Sequence, residues 1–176
     1  MTVNVTDSGY LRNGLECLLN VYLDFSLQRV KNAYVKVDSE IISEINTGFL
    51  LLWGIEESDS DIESEILINK ILNFRVFSDE NLKMNKSIID ISGEILIVSQ
   101  FTLAGKFLKG NRPSFVKAKS PEIAEEMISK IVQAFSKHVT VKTGSFGAMM
   151  DVGLINDGPA TFVLTARNGE LIDQAD

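Results

Sequence analysis

Hydrophobic positions change period several times along the chain, and each change marks an element. From Phe25 apolar and polar residues alternate over 27–30 and 33–37, which predicts two strands joined at Lys31-Asn32. Asp38-Ser39 predicts a hairpin turn into a strand over 40–45, and Asn46-Thr47-Gly48 a second turn. Residues 49–55 are apolar almost without a break, as in a central strand buried on both faces. Four strands with such short links predict an antiparallel meander.

The period then lengthens. Ser60 and Glu63 have the spacing of a capping box, and Ile62, Ile66, Leu67 and Ile71 give the helix an apolar face running to about Phe74. Residues 75–77 read as a short strand and 78–86 as a polar loop. Ser92-Gly93 turns the chain into a second buried strand, Ile95, Leu96, Ile97 and Val98. Ser120 as N-cap and Pro121 at the first helical position open another helix, whose core stripe is Ile123, Met127, Ile131 and Phe135. A strand over 139–142, a Gly-punctuated loop over 143–150, and strands over 150–155 and 160–165 follow. The last two flank Asn156-Asp157-Gly158-Pro159. Residues 25–166 form one domain in this reading, 167–176 a polar C-terminal tail. Residues 1–24, with Leu11, Leu15, Leu18, Leu19 and Tyr22 at helical spacing, form an N-terminal extension, helical or disordered.

Composition narrows the chemistry. The 176 residues include 17 basic and 24 acidic ones, a net charge of −7, so general polyanion binding is not expected. The acidic run Glu56, Glu57, Asp59, Asp61, Glu63 and Glu65 suits the first turn of a helix rather than a metal. Cys17 is the only cysteine and His138 the only histidine, which excludes an internal disulfide, the usual zinc sites and any Ser-His or Cys-His system built on a second histidine; His138 reads as a helix-end residue. No apolar run is long enough to span a bilayer, and a reducing cytoplasm is the expected compartment.

Two stretches stand out as candidate chemistry. The strand 95–98 passes without a turn residue into Ser99-Gln100-Phe101-Thr102. Continued at period two, it places Gln100 and Thr102 on one face and Ser99 and Phe101 on the other. The stretch is either a strand reaching a solvated rim or a core strand delivering polar groups into a pocket. Immediately afterwards Lys106, Lys109, Arg112, Lys117 and Lys119 occupy a loop without one acidic residue, a local anion site suited to nucleic-acid phosphate.

Together these residues resemble a known family. Gln28-Arg29-Val30, Ser99-Gln100-Phe101-Thr102-Leu103, Gly110-Asn111-Arg112-Pro113-Ser114-Phe115, Gly144 with Phe146-Gly147, and Asn156-Asp157-Gly158-Pro159 occur in the order and spacing of the D-aminoacyl-tRNA deacylases. The resemblance implies a single compact α/β domain with a mostly antiparallel, barrel-like β core and two main helices, assembled as a homodimer. It implies hydrolysis of the ester between a D-amino acid, or mischarged glycine, and the 3′ end of tRNA, a chiral proofreading step in translation. No metal or organic cofactor is implied, and neither DNA nor a membrane is an expected partner.

Residue by residue, Ser99, Gln100 and Thr102 resemble the catalytic wall around the scissile ester, Phe146 and Gly147 resemble the part that packs near the terminal adenosine, and Phe101 is a further expected substrate contact. Gly158-Pro159 resembles the cis Gly-Pro motif that each subunit inserts into its neighbour's pocket, where it rejects L substrates. Arg29 resembles the arginine that supports that motif from behind. Lys106, Lys109 and Arg112 are the expected tRNA contacts. With no base beside it Thr102 is expected to position rather than attack, the tRNA 2′-hydroxyl assisting water. Met149, Gly153 and Ala160 depart from the family's commoner residues. Two alternatives remain open: a noncatalytic RNA-end binding module, and a Thr-nucleophile esterase acting on small esters.

Overall fold

A 15-residue strand, β1 (Leu23–Val37), is the spine of the molecule, seen in a computed structural model that describes residues 23–106 and 110–172. Along one edge β1 pairs first with β3 (Gly48–Trp53), from Phe25 opposite Trp53 to Val30 opposite Gly48. Beyond Asn32 the same edge takes β2 (Glu40–Ile45), whose hairpin turn holds Asp38 and Ser39 at φ 50° and 70°. The expected meander is therefore replaced: β2 and β3 follow one another along β1 instead of lying side by side. The expected two strands over 27–37 are one, because register shifts at Gln28/Val30 and Val30/Asn32 absorb the break.

The other edge of β1 is covered along its length by β8 (Asp151–Arg167). The sheet continues outward through β6 (Glu94–Ser99) and β7 (Thr140–Thr143) on one side and β9 (Glu170–Ile172) on the other, in the order β7-β6-β3-β1-β8-β9. The mostly antiparallel core holds, through the β1–β2, β1–β3, β1–β8 and β8–β9 pairs, but barrel closure does not. The β3–β6 and β6–β7 pairs are parallel, so the sheet is mixed. Nor does it close into a barrel: β2 curls toward the β7 edge, where Ser43 Oγ donates to the Thr143 carbonyl at 2.6 Å, but β7 and β9 remain opposite edges. Residues 170–172 are not a loose tail, since a turn at Asn168-Gly169, both at positive φ, returns them to β8. The polar stretch 78–86 likewise contains a small hairpin, β4 (Phe77–Ser78) with β5 (Met84–Lys86).

Parallel neighbours require crossovers, and two helices supply them. These are α1 (Asp61–Leu72), between β3 and β6, and α2 (Pro121–Ser136), between β6 and β7. Both pack on one sheet face, where Leu67, Ile71, Met127, Ile131 and Phe135 meet Phe25, Leu27, Phe49, Leu51, Trp53, Ile95 and Ile97. The alternate residues Leu50, Leu96 and Val98 are buried on the opposite face with Val30, Val35 and Ile45. Burial on both faces explains the unbroken apolar runs of β3 and β6.

The capping box at Ser60 and Glu63 is present, but the buried face of α1 is rotated from the expected one. Glu63 turns inward and accepts from the N–H groups of Ser60, at 3.2 Å, and Gly169, at 3.1 Å. The buried stripe accordingly runs through Ser64, Leu67, Ile68 and Ile71, leaving Ile62 60% exposed. Ile123 at the start of α2 is also exposed. Residues 1–22 and 173–176, including Cys17 and most of the proposed N-terminal extension, lie outside the described residues.

Candidate active site

β3 and β6 end together, Trp53 opposite Ser99. Beyond their C-terminal ends lies a cavity of about 710 Å³, in the position where open sheets of parallel strands leave room for ligands. Its walls come from residues 98–102, from Phe115, Ala118, Lys119 and Pro121 with Ala124 and Ile128 of α2, and from residues 146–150 with Val152. Trp53, 1% exposed, belongs to the lining; it stacks on Phe25 with ring centroids 5.0 Å apart, and its Nε1 has no acceptor among the described residues.

Ser99, Gln100, Phe101 and Thr102 all line this cavity, but not as a strand. The Gln100 N–H donates to the Trp53 carbonyl at 2.8 Å. The chain then coils into a short 3-10 turn, Phe101–Ala104, in which Leu103 N–H donates to Gln100 O at 3.2 Å. The two-face alternation expected for 99–102 is thereby corrected. Gln100 and Thr102 still meet, because the turn brings Nε2 of Gln100 to donate to Oγ1 of Thr102. Phe101 is 60% exposed and stands edge-on to Phe115, with centroids 5.1 Å apart. Phe146 and Gly147 face them from the loop before β8.

Among the described residues the cavity lining is predominantly apolar and includes no histidine, aspartate or glutamate. Lys119 is the one charged side chain among those lining residues, and donates from Nζ to the Asp59 carbonyl at 2.6 Å. Lys106 and Arg112 stand outside the lining, although the main chain of Lys106 pairs with Ser114, a few residues before the wall; Lys109 lies outside the described residues. Asp59 itself is 4% exposed. Burial pushes its carboxyl up to about 7, against the lowering effect of the Glu56 N–H, which donates to Oδ2 at 2.6 Å.

Gly158 and Pro159 are not part of this lining. β8 is one strand where two were expected, and the motif is a bulge within it. Gln28 pairs with Thr161 and Val30 with Asn156, so Arg29 alone stands against the four residues 157–160. The excess is pushed out, leaving Gly158 and Pro159 exposed, with a cis bond between them. Two side chains frame the bulge. Asn156 donates from Nδ2 to Gln28 Oε1 and Thr161 Oγ1, both at 3.0 Å, and accepts from the Ala160 N–H at 2.7 Å. Arg29, 7% exposed, donates from Nη1 to the Val76 carbonyl and from Nε to the Asp157 carbonyl at 3.0 Å. A Cβ on Gly158 would stand 3.0 Å from Nη2 of that guanidinium. Asn156 and Lys119 were not among the expected site residues. Asn156 stood out only as the first residue of the stretch between two expected strands, and Lys119 was one cation among five.

The family described as D-Tyr-tRNA(Tyr) deacylase matches residues 26–165, a span that includes the cavity and the bulge. The class is therefore that of enzymes hydrolysing the ester of a charged tRNA. More narrowly, the chain belongs to the D-Tyr-tRNA(Tyr) deacylase family. The D-aminoacyl-tRNA deacylase of Thermodesulfovibrio yellowstonii is 51% identical over 142 residues, covering 80% of this chain and 97% of that one. Its counterpart from Persephonella marina is 47% identical over 141 residues, covering 80% and 96%. A solved structure titled c-Myc DNA Unwinding Element Binding Protein superposes with a TM-score of 0.76 at 43% identity, covering 80% of this chain and 97% of that one. Another, titled as a probable eukaryotic D-amino acid tRNA deacylase, shares the fold at 14% identity, with a TM-score of 0.72 and coverage of 83% and 100%.

Proposed function

We propose that the chain removes D-amino acids, and glycine, from the 3′ end of tRNA, and that two copies complete each site. The observation that carries this reading is the separation of its parts. Ser99, Gln100, Thr102 and Phe146 line the cavity, whereas Gly158-Pro159 projects from β8 outside that lining, gripped by Arg29. An exposed motif with so deliberate a support suits insertion into a second copy.

In this reading the terminal adenosine enters among Phe146, Gly147 and Phe101, where aromatic faces suit a base. The ester then lies along Ser99, Gln100 and Thr102. The partner's Gly158-Pro159 main chain takes the space that an L side chain would need. Glycine has no side chain and passes any such filter, which supports it as a second substrate. Water adds to the ester carbonyl with help from the tRNA 2′-hydroxyl, and the bond to the 3′ oxygen breaks, giving free amino acid and tRNA. The apolar, base-free lining suits a protein contribution of orientation and of hydrogen bonding to the developing oxyanion. Lys106, Lys109 and Arg112 guide the acceptor end.

Deacylation of matched D-, L- and glycyl-tRNA, with and without the terminal 2′-hydroxyl, tests the reading. The expected order is rapid loss of D-aminoacyl and glycyl groups, retention of the L ester, and collapse of the rate without the 2′-hydroxyl. Equal rates on D and L esters would overturn the filter.

A further inference from the structure

Lys119 is singled out by position. The loop cations expected to meet RNA include Lys106, Arg112 and Lys117, yet among the described residues Lys119 alone lines the cavity. It is half-buried and fixed at both ends. Its N–H donates to the Ile55 carbonyl at 3.0 Å, and its Nζ to the Asp59 carbonyl at 2.6 Å. The neighbouring Glu57 N–H donates to the Lys117 carbonyl at 2.8 Å, so the segment is locked against residues 55–59. An ammonium has three protons to donate, and the bond to Asp59 occupies one. The remaining charge borders a cavity whose other described lining residues are uncharged, beside the first turn of α2 with Pro121 and Ala124.

We propose that Lys119 is a substrate-positioning residue that holds the phosphate joining the terminal adenosine to the preceding nucleotide. The inference rests on the adenosine-end reading of the cavity. A cation here opposes the substrate α-ammonium and favours the one anionic group present on every acceptor end. The segment from Gly110 to Lys119 carries Arg112 and Lys117 and no acidic residue, so no carboxylate in it repels a phosphate. Fixing that phosphate fixes the adenosine, and with it the ester, at little cost in side-chain entropy because Lys119 is already ordered.

The test compares wild type, Lys119→Gln and Lys119→Arg in deacylation of D-tyrosyl-tRNA and D-aspartyl-tRNA at several salt concentrations, with adenosine and adenosine 5′-monophosphate as competitors. For Lys119→Gln a KM raised about tenfold on both substrates is expected, with kcat held within about twofold. The slope of log KM against log salt should fall by about 0.7, as for one phosphate contact on a single strand. Lys119→Arg should restore both, and the monophosphate should compete better than adenosine with wild type but not with Lys119→Gln. An unchanged KM and salt slope would overturn the inference, as would an effect confined to D-aspartyl-tRNA, which would assign Lys119 to the amino-acid side chain. Equal weakening of both competitors would reduce Lys119 to a wall support and also overturn it. A wild type inactive on either substrate would sink the underlying reading itself.

Discussion

The guanidinium of Arg29 holds Asp157 twice: Nε donates to its carbonyl at 3.0 Å and lies 3.1 Å from its carboxylate Oδ2. A third bond, from Nη1 to the Val76 carbonyl, ties the same group to the segment after α1. One planar fork thus fixes the bulge in β8 to two other parts of the fold. Arg29→Met should lower stability to urea by about 2–3 kcal/mol, because it strands the Val76 carbonyl and the Asp157 carboxylate. Arg29→Lys should recover only part of it, since an ammonium cannot reproduce the fork. In both variants the deacylation rate should fall further than the folded fraction does.

Gly158 has φ 131°, and a Cβ there would stand 3.0 Å from both Nη2 of Arg29 and the Ala160 nitrogen. L residues rarely adopt that conformation, and the guanidinium is held in place by its bonds to the Asp157 and Val76 carbonyls. Gly158→Ala should therefore move the exposed edge of the bulge and lower deacylation of D-aminoacyl-tRNA by about a hundredfold. Circular dichroism and the sedimentation coefficient should stay as in wild type. Retention of wild-type rates would make the bulge an ordinary surface feature.

Thr102 receives the Gln100 amide, and no base lines the cavity among the described residues. Thr102→Ala should slow hydrolysis about tenfold by freeing Gln100, and Thr102→Ser should restore most of the rate. Mass spectrometry during turnover should detect no acyl group on the protein. A mass increase equal to the aminoacyl group on Thr102 would make it a nucleophile.

Asp59 is buried, with Oδ1 unpartnered among the described residues and its carboxyl raised from 3.8 to about 7. Between those values the folded protein keeps a proton that the unfolded chain has lost. The stabilisation is complete below the unfolded value and disappears as pH rises through the folded one. Asp59→Asn should remove that slope. Its Tm relative to wild type should climb by about 2–4 °C for each kcal/mol regained between pH 4 and 7, then level off above 7. Parallel melting curves for the two proteins across that range would refute the assignment.

Much of the local structure was legible because it is set by near neighbours. Asp38-Ser39 turns the hairpin, Ser60 and Glu63 cap α1, and the apolar runs at 49–53 and 95–98 form strands buried on both faces. What escaped depends on distant partners. The parallel pairing of β3 with β6 follows from the crossover through α1, which no period in either strand records. The face of α1 was displaced because Glu63 finds the N–H of Gly169, 106 residues away. In the cavity, Ser99-Gln100-Phe101-Thr102 stood out by its polarity, but its 3-10 turn depends on where Trp53 ends β3. Lys119 could not be told from Lys106 by composition, since only packing against residues 55–59 places one of them on the wall.

The path of β8 has a genetic consequence. Its early residue Val152 lines the cavity, while Gly158 and Pro159, farther along the same strand, are exposed outside that lining. If two copies exchange those bulges, every site draws on two polypeptides, and each polypeptide serves two sites. A cell carrying one allele damaged at Thr102 and another damaged at Gly158 would then form mixed pairs. In such a pair one site inherits both lesions and the other inherits neither. Two weakened proteins, co-expressed, would show more activity than either does alone, reaching about a quarter of the wild-type level if pairing is random and each sound site works independently.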